Sequence, residues 1–248
     1  MTVNIKAIFI DLGNTLRVLV KDQDHMARAR QEIVRLVGTD EDPLEFCKKL
    51  DERYKDYRKW AFENLTEAPE ADLWTRWLVP EFPVEKITPL CGELTYLFRQ
   101  SMGRRVVVEN GKEVVVELHR RGYILGIISN LIGTREIPDW LEADGFNRYF
   151  KSVVLSSIYG KRKPDPAIYL EAARRAGVEP ANCVYIGDNL KRDVTGTRKA
   201  GFGMLVIMIS PEDLALETIT DENRPDIIIH EFRQLLDIFP GHNQVKYL

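Results

Sequence analysis

The chain is poor in cysteine, carries no excess of positive charge and has no long apolar run. Each lack excludes a class of function. Its three cysteines, Cys47, Cys91 and Cys183, are odd in number and too far apart for a zinc motif. They read as reduced, buried thiols. The net charge of -3 leaves no basic footprint for nucleic acid or an anionic membrane. It leaves room for a local cationic pocket. The longest apolar runs fall short of a membrane span. The opening MTVNIKAIFID lacks the build of a signal peptide, because its apolar run is short and flows into an acid. A cytoplasmic location is therefore expected, with no internal repeat or low-complexity tract. What is present is a globular composition, 44% apolar and 29% charged, which argues against disorder. A chain of 248 residues can build one large core with a smaller module inserted.

The stretch Lys6 to Leu16 organises the rest. Ala7, Ile8, Phe9 and Ile10 form an apolar run expected of a strand buried on both faces. Asp11 follows at once, and Gly13 and Asn14 turn the chain out of the sheet. An acid at the carboxyl end of a central strand stands where open α/β sheets bind ligands. Alone, the stretch fits equally well a strand closed by an Asp-initiated turn.

From Arg17 to about Met102 helical spacing takes over. Met26, Ile33, Leu36 and Val37 recur at helical intervals. Further helices are expected over Pro43–Asn64, Glu70–Val79 and Val84–Met102. Charged, amphipathic helices joined by short turns imply a small bundle. Trp60, Trp74 and Trp77 fall here, as bundle core or as pocket lining.

From about Val106 strands and helices alternate, which predicts parallel crossover units. Helices are expected over Asn110–Arg121, Glu136–Asp144, Pro166–Ala176, Asp193–Ala200 and Glu231–Ile238. Strands are expected over Tyr123–Ile128, Lys151–Leu155, Cys183–Ile186, Met204–Ile209 and Ile227–Ile229. Pro240 to Leu248 reads as a loose tail. The organisation is an α/β core of residues 1–16 and 106–248, interrupted by a helical insert of residues 17–105.

Four strand ends carry polar residues: Asp11, then Ser129-Asn130, then Lys163 in GKRKPDP, then Asp188 and Asp193 in GDNLKRD. Singly, each is an ordinary turn or helix start. In a parallel sheet they share one edge and converge. Three carboxylates in one place repel one another, and hard oxygen donors suit Mg²⁺. With a lysine and a hydroxyl facing the same point, the site suits a phosphoryl group. A carboxylate there can attack phosphorus to give an aspartyl-phosphate.

This order of motifs resembles the haloacid dehalogenase superfamily over residues 3 to about 230. The nucleophile motif maps on Asp11-Leu12-Gly13-Asn14-Thr15, the hydroxyl motif on Ser129-Asn130, the lysine on Lys163 and the paired acids on Asp188 and Asp193. The resemblance implies a Rossmann-like α/β core with an α-helical cap of the first type. It implies Asp11 as nucleophile and metal ligand, the Gly13 carbonyl as backbone ligand, and Asp188 and Asp193 as further ligands of Mg²⁺. Ser129 would bind the transferring group, and Lys163 would hold Asp11 and the phosphoryl oxygens. Asn130 and Asn14 are expected to assist substrate binding, and Asn189 to support the site. The substrate expected is a small phosphorylated metabolite, and the oligomeric state stays open. One position departs. Most phosphatases of the superfamily carry a second Asp two residues after the nucleophile as general acid and base, and here Gly13 stands there. His25, Asp22 and Asp24 of the insert are candidate substitutes. The gap keeps open a dehalogenase-like activity, a phosphonatase-like one drawing on Lys21, Lys48, Lys49, Lys55 or Lys59, or a weakened member that only binds a ligand or partner.

Overall fold

The computed structural model describes residues 4–241. Its strands are β1 Ala7–Ile10, β2 Arg17–Val20, β3 Arg104–Val107, β4 Ile124–Ser129, β5 Phe150–Leu155, β6 Cys183–Gly187, β7 Met204–Met208 and β8 Ile227–Ile229. Six of them form one parallel sheet in the order β5-β4-β1-β6-β7-β8. The fold is therefore the expected α/β class.

Strand β1 lies at the centre and is buried throughout. Ile8 and Ile10 face one core with Leu118, Ile127 and Val206. Ala7 and Phe9 face the other with Ile168, Tyr185 and Leu205. Two-sided burial is why the strand reads as a continuous apolar run. Each large aliphatic side chain buried in this way stabilises the fold by about 1.5–3 kcal/mol. Next to Phe9 the approach is so close that a Cβ at Gly126 would stand 2.5 Å from the ring. From β1 the chain builds β4 and β5 on one side, then crosses to β6, β7 and β8 on the other. The reversal beside β1 opens a crevice at the carboxyl ends of β1, β4 and β6.

The insert has its own core, which includes Ile33, Phe46, Leu50, Trp74, Leu94 and Phe98. Its long helices are Gln23–Val37, Pro43–Asn64 and Cys91–Ser101. Asp22 and Asp42 start the first two by accepting backbone N–H groups of the first turn. Trp74 is wholly buried and donates to Thr95 Oγ1 at 2.8 Å, while Trp60 and Trp77 pack against the same core. The tryptophans are thus packing residues.

Three expectations change. The helix expected over Val84–Met102 is broken at Pro89 into Val84–Ile87, a 3-10 turn Thr88–Leu90 and Cys91–Ser101. The one expected over Glu70–Val79 is a turn of α-helix, Glu70–Asp72, running into a π-helical segment, Leu73–Leu78. Most consequential, the chain after Arg17 is not yet helical. Strand β2 pairs antiparallel with β3, Arg17 opposite Val107 and Val20 opposite Arg104. This ribbon joins the insert to the sheet. The three cysteines are buried and free, and burial pushes the Cys47 thiol up to about 12. No helix among the described residues is long and apolar enough to cross a membrane. Most of the expected tail, residues 242–248, lies outside the described residues.

Candidate active site

The register of the sheet brings the four motifs to one rim. Ile10 lies level with Ile127 of β4 and Ile186 of β6. Asp11, just beyond, is anchored across the sheet by its N–H to Ile186 O at 2.8 Å. Its two carboxylate oxygens are held differently. Oδ1 accepts from Ser129 Oγ at 2.9 Å and from the Leu12 N–H at 2.8 Å. Oδ2 accepts from Lys163 Nζ at 2.5 Å and from Arg192 at 3.1 Å. Burial alone would raise the pKa of this carboxyl, but Lys163 and Arg192 outweigh it and hold Asp11 below the usual carboxylate range. It is an ionised, oriented oxyanion.

Lys163 is wholly buried. Its ammonium is fixed by Asp11, by the Tyr185 hydroxyl and, at 3.9 Å, by Asp193. The Tyr185 hydroxyl donates to Ile128 O at 3.2 Å. The paired acids come from the β6 end and the helix Leu190–Ala200. Asp188 lies in the turn after β6, and Asp193 lies in the first turn of that helix, fully buried. Gly187, just before Asp188, leaves room for the second acid, because a Cβ there would stand 2.3 Å from Asp193 Oδ2. Carboxylate oxygens of Asp11, Asp188 and Asp193 lie within 4.8 Å of one another.

Nucleophile-type acid, hydroxyl, lysine and paired acids thus meet at one point, in the expected order. The sequence model of the haloacid dehalogenase-like hydrolases matches residues 5–201. The chain belongs to this family. Over 125 residues it is 34% identical to a glyceraldehyde 3-phosphate phosphatase of Methanopyrus kandleri, covering 50% of this chain and 52% of that protein. A glyceraldehyde 3-phosphate phosphatase of Pyrococcus furiosus is 26% identical and matches along 96% of this chain and 95% of its own length. The chain spans about half the length of the Methanopyrus enzyme and of several other curated relatives. A solved 2-haloacid dehalogenase of Pseudomonas syringae pv. tomato shares the fold, with a TM-score of 0.67 at 21% identity, over 94% of this chain and 97% of that one.

Within this haloacid dehalogenase-like frame, several expected residues hold other groups of the site in place. Asn130 has both polar atoms engaged: its amide donates to Lys163 O at 3.0 Å, and its oxygen accepts the Lys163 N–H at 2.8 Å. It pins the lysine's backbone and lines the same cavity as Ser129. Asn14, in the left-handed region at φ 53°, donates to Asp188 Oδ2 at 3.2 Å. It orients an acid, and it lines the same cavity as Ser129. Asn189 caps the helix that carries Asp193, accepting the Arg192 N–H at 2.8 Å. The Gly13 carbonyl accepts the Thr15 hydroxyl at 3.4 Å.

The proposed proton donors of the insert are not gathered here. His25 is hydrogen-bonded to Gln100 at 2.9 Å, Asp22 caps a helix, and Asp24 is exposed. The lysines considered for imine chemistry are exposed as well. Lys48, Lys49 and Lys55 pair with Glu45, Glu41 and Glu52, and Lys21 bonds Met102 O at 2.9 Å.

Two site residues were not foreseen. Tyr185 reads as a core strand residue, and only its polar tip hints at a partner. Arg192 reads as a solvated helix residue. Its guanidinium reaches Asp11 at 3.1 Å, Asp188 at 2.9 Å and Asp193 at 2.8 Å. The signal available was its spacing: four residues after Asp188 and one before Asp193.

The donor set fits a hard divalent cation. Three carboxylates face two cations, Lys163 and Arg192, which leaves negative charge in surplus. Burial, then Asp11 and Asp193, pushes the Asp188 carboxyl above its usual range, the mark of acids crowded together.

Proposed function

We propose that the protein is a Mg²⁺-dependent phosphatase of small phosphorylated metabolites, with Asp11 as nucleophile. One observation carries the reading: Asp11 is ionised and held between Ser129 and Lys163, with two further carboxylates within 4.8 Å. Asp11, Asp188, Asp193 and the Gly13 carbonyl would hold the metal. When bound, Mg²⁺ would offset the acids' charge and that of the transferring phosphoryl group.

The chain's own residues account for the rest. An Asp11 oxygen attacks phosphorus, a bond to that oxygen forms, and the bond from phosphorus to the ester oxygen breaks. Lys163 and the Ser129 hydroxyl stabilise the charge that grows on the phosphoryl oxygens. The departing alkoxide takes its proton from water, because Gly13 offers none. Water then cleaves the aspartyl-phosphate, releasing inorganic phosphate and restoring Asp11.

The insert, residues 17–105, serves as the cap of this site. The segment after its second helix is bonded to the loop that carries Lys163. The Glu67 N–H donates to Gly160 O at 2.9 Å, and the Arg162 N–H to Leu65 O at 3.2 Å. The relatives named as phosphatases agree with the reading.

The test is hydrolysis of p-nitrophenyl phosphate with and without Mg²⁺. Turnover is expected only with the metal, and Asp11→Asn should lower it at least about 10³-fold, the loss typical of a missing nucleophile. Equal rates in the variant would end the reading. Tight binding of phosphate esters with no turnover across a broad panel would replace it with a ligand-binding role.

A further inference from the structure

On the far side of the Gly13–Asn14 loop from the acids lies a cavity of about 200 Å³. Ser129 and Gly13 line it, so it opens beside the proposed phosphoryl position. Its charged walls are Arg17, Arg99 and Arg105. Arg17 comes from β2, Arg105 from β3, and Arg99 from the last turn of the helix Cys91–Ser101.

One carboxylate answers these three arginines. Glu136 accepts from Arg17 at 3.0 Å and from Arg99 Nε. Arg105 has no carboxylate within 4.0 Å among the described residues, and its guanidinium bonds only Arg99 O, at 2.9 Å. Arg17 is 7% exposed, and its Nε has no hydrogen-bond partner. Burial, then Arg99 and Arg17, lowers Arg105 to about 10. Arg105 is only half-buried, and its planar guanidinium suits a carboxylate in a two-point contact. Leu19, Leu131 and Ile137 supply apolar wall for a few carbons. Between the cavity and Asp11 stands Gly13, where a Cβ would meet nothing within 4 Å.

We infer that the substrate is a short phosphate ester bearing a carboxylate, which Arg105 receives with Arg17 and Arg99 beside it. This rests on the phosphatase reading of the same site and names its substrate class. Arg105 is a specificity-determining residue, set apart from the bond-breaking groups.

The test compares matched probes with the Mg²⁺-loaded full chain. 2-Phosphoglycolate is set against ethyl phosphate, and 3-phosphoglycerate against glycerol 3-phosphate. The carboxylate member of each pair should have at least a tenfold higher kcat/KM. Arg105→Met should cut that preference below threefold, with the loss in KM rather than kcat, and Arg105→Lys should keep part of it. Calorimetry on the Asp11→Asn protein with Mg²⁺ gives a second readout, in which the carboxylate ester should bind at least tenfold more tightly. It also decides the matter if Arg105→Met fails to fold. Turnover of both members without preference, and equal binding, would overturn the inference and leave the phosphatase reading standing. No turnover with the binding preference intact would do the reverse. A tenfold preference for propane-1,3-diol bisphosphate over both carboxylates would overturn the assignment of the second anion.

Discussion

Two charge clusters flank the Gly13–Asn14 loop, and they are incomplete in opposite senses. On one side Asp11, Asp188 and Asp193 face Lys163 and Arg192. On the other Arg17, Arg99 and Arg105 face Glu136 alone. The first lacks positive charge and the second lacks negative charge. A folded chain tolerates a buried surplus when something outside the chain completes it, so each deficit describes a missing partner. The difference teaches that one short loop separates a cluster rich in acids from a cluster rich in arginines.

The strongest way to break the basic cluster is Glu136→Gln. Glu136 is 6% exposed and answers two arginines directly. Removing one partner of a buried ion pair costs about 3–5 kcal/mol, because the other charge is stranded. Urea unfolding at pH 7 should show that loss. A variant as stable as the parent would mean that solvent already screens the arginines. The pH dependence has a definite sign. Burial would raise the Glu136 carboxyl, but Arg99, Arg105 and Arg17 outweigh it and leave it below 4.5. The unfolded chain then takes up the proton first. The stability Glu136 contributes is present above about pH 4.5 and is lost as pH falls through its folded value. Below pH 4.5 the parent should lose stability more steeply than the variant.

The acid cluster was legible in the sequence and the basic one was not, for a physical reason. The nucleophile-type acid, the hydroxyl and the first of the paired acids each end a buried apolar run, and a parallel sheet aligns such ends, whereas Lys163 stands beyond β5 and the short helix Ser156–Tyr159. Strands β1, β4 and β6 therefore announce Asp11, Ser129 and Asp188. Arg17 and Arg105 stand on a ribbon whose strands are 4 residues each and pair across the whole insert, and Arg99 on the helix before β3. Nothing local in RVLV marks such a partner, and Leu19 and Val20 are more than a third exposed. Reading Arg17 as the start of the helical insert concealed where its side chain leads. Arg192 was hidden by a smaller error. The helix expected from Asp193 begins at Leu190, which places Arg192 over the acids.

Gly13→Asp joins the two clusters and sharpens the contrast. The backbone there has room for a side chain, since a Cβ would meet nothing within 4 Å. A general acid at this position is worth 10²–10⁴-fold in favourable cases. Turnover of ethyl phosphate should rise by about 10²-fold, the low end of that range. The same carboxylate would oppose a carboxylate-bearing substrate crossing the loop, so its gain should be smaller. An unchanged or lower rate for ethyl phosphate would show that another group already supplies the proton.

The smallest effect expected is on stability in Asp188→Asn, and its smallness is the point. Asp188 is crowded by Asp11 and Asp193, and burial adds to that repulsion. The substitution relieves both. It also gives up the 2.9 Å ion pair with Arg192, but those side chains are 21% and 24% exposed, where water weakens the contact. Gain and loss should nearly cancel, so unfolding in EDTA should shift by less than about 1 kcal/mol. The stabilisation conferred by added Mg²⁺ should behave otherwise, needing at least tenfold more metal for half its effect. A large loss of stability in EDTA would show that Asp188 holds the fold rather than a cation. The contrast between the two clusters would then reduce to the arginines alone.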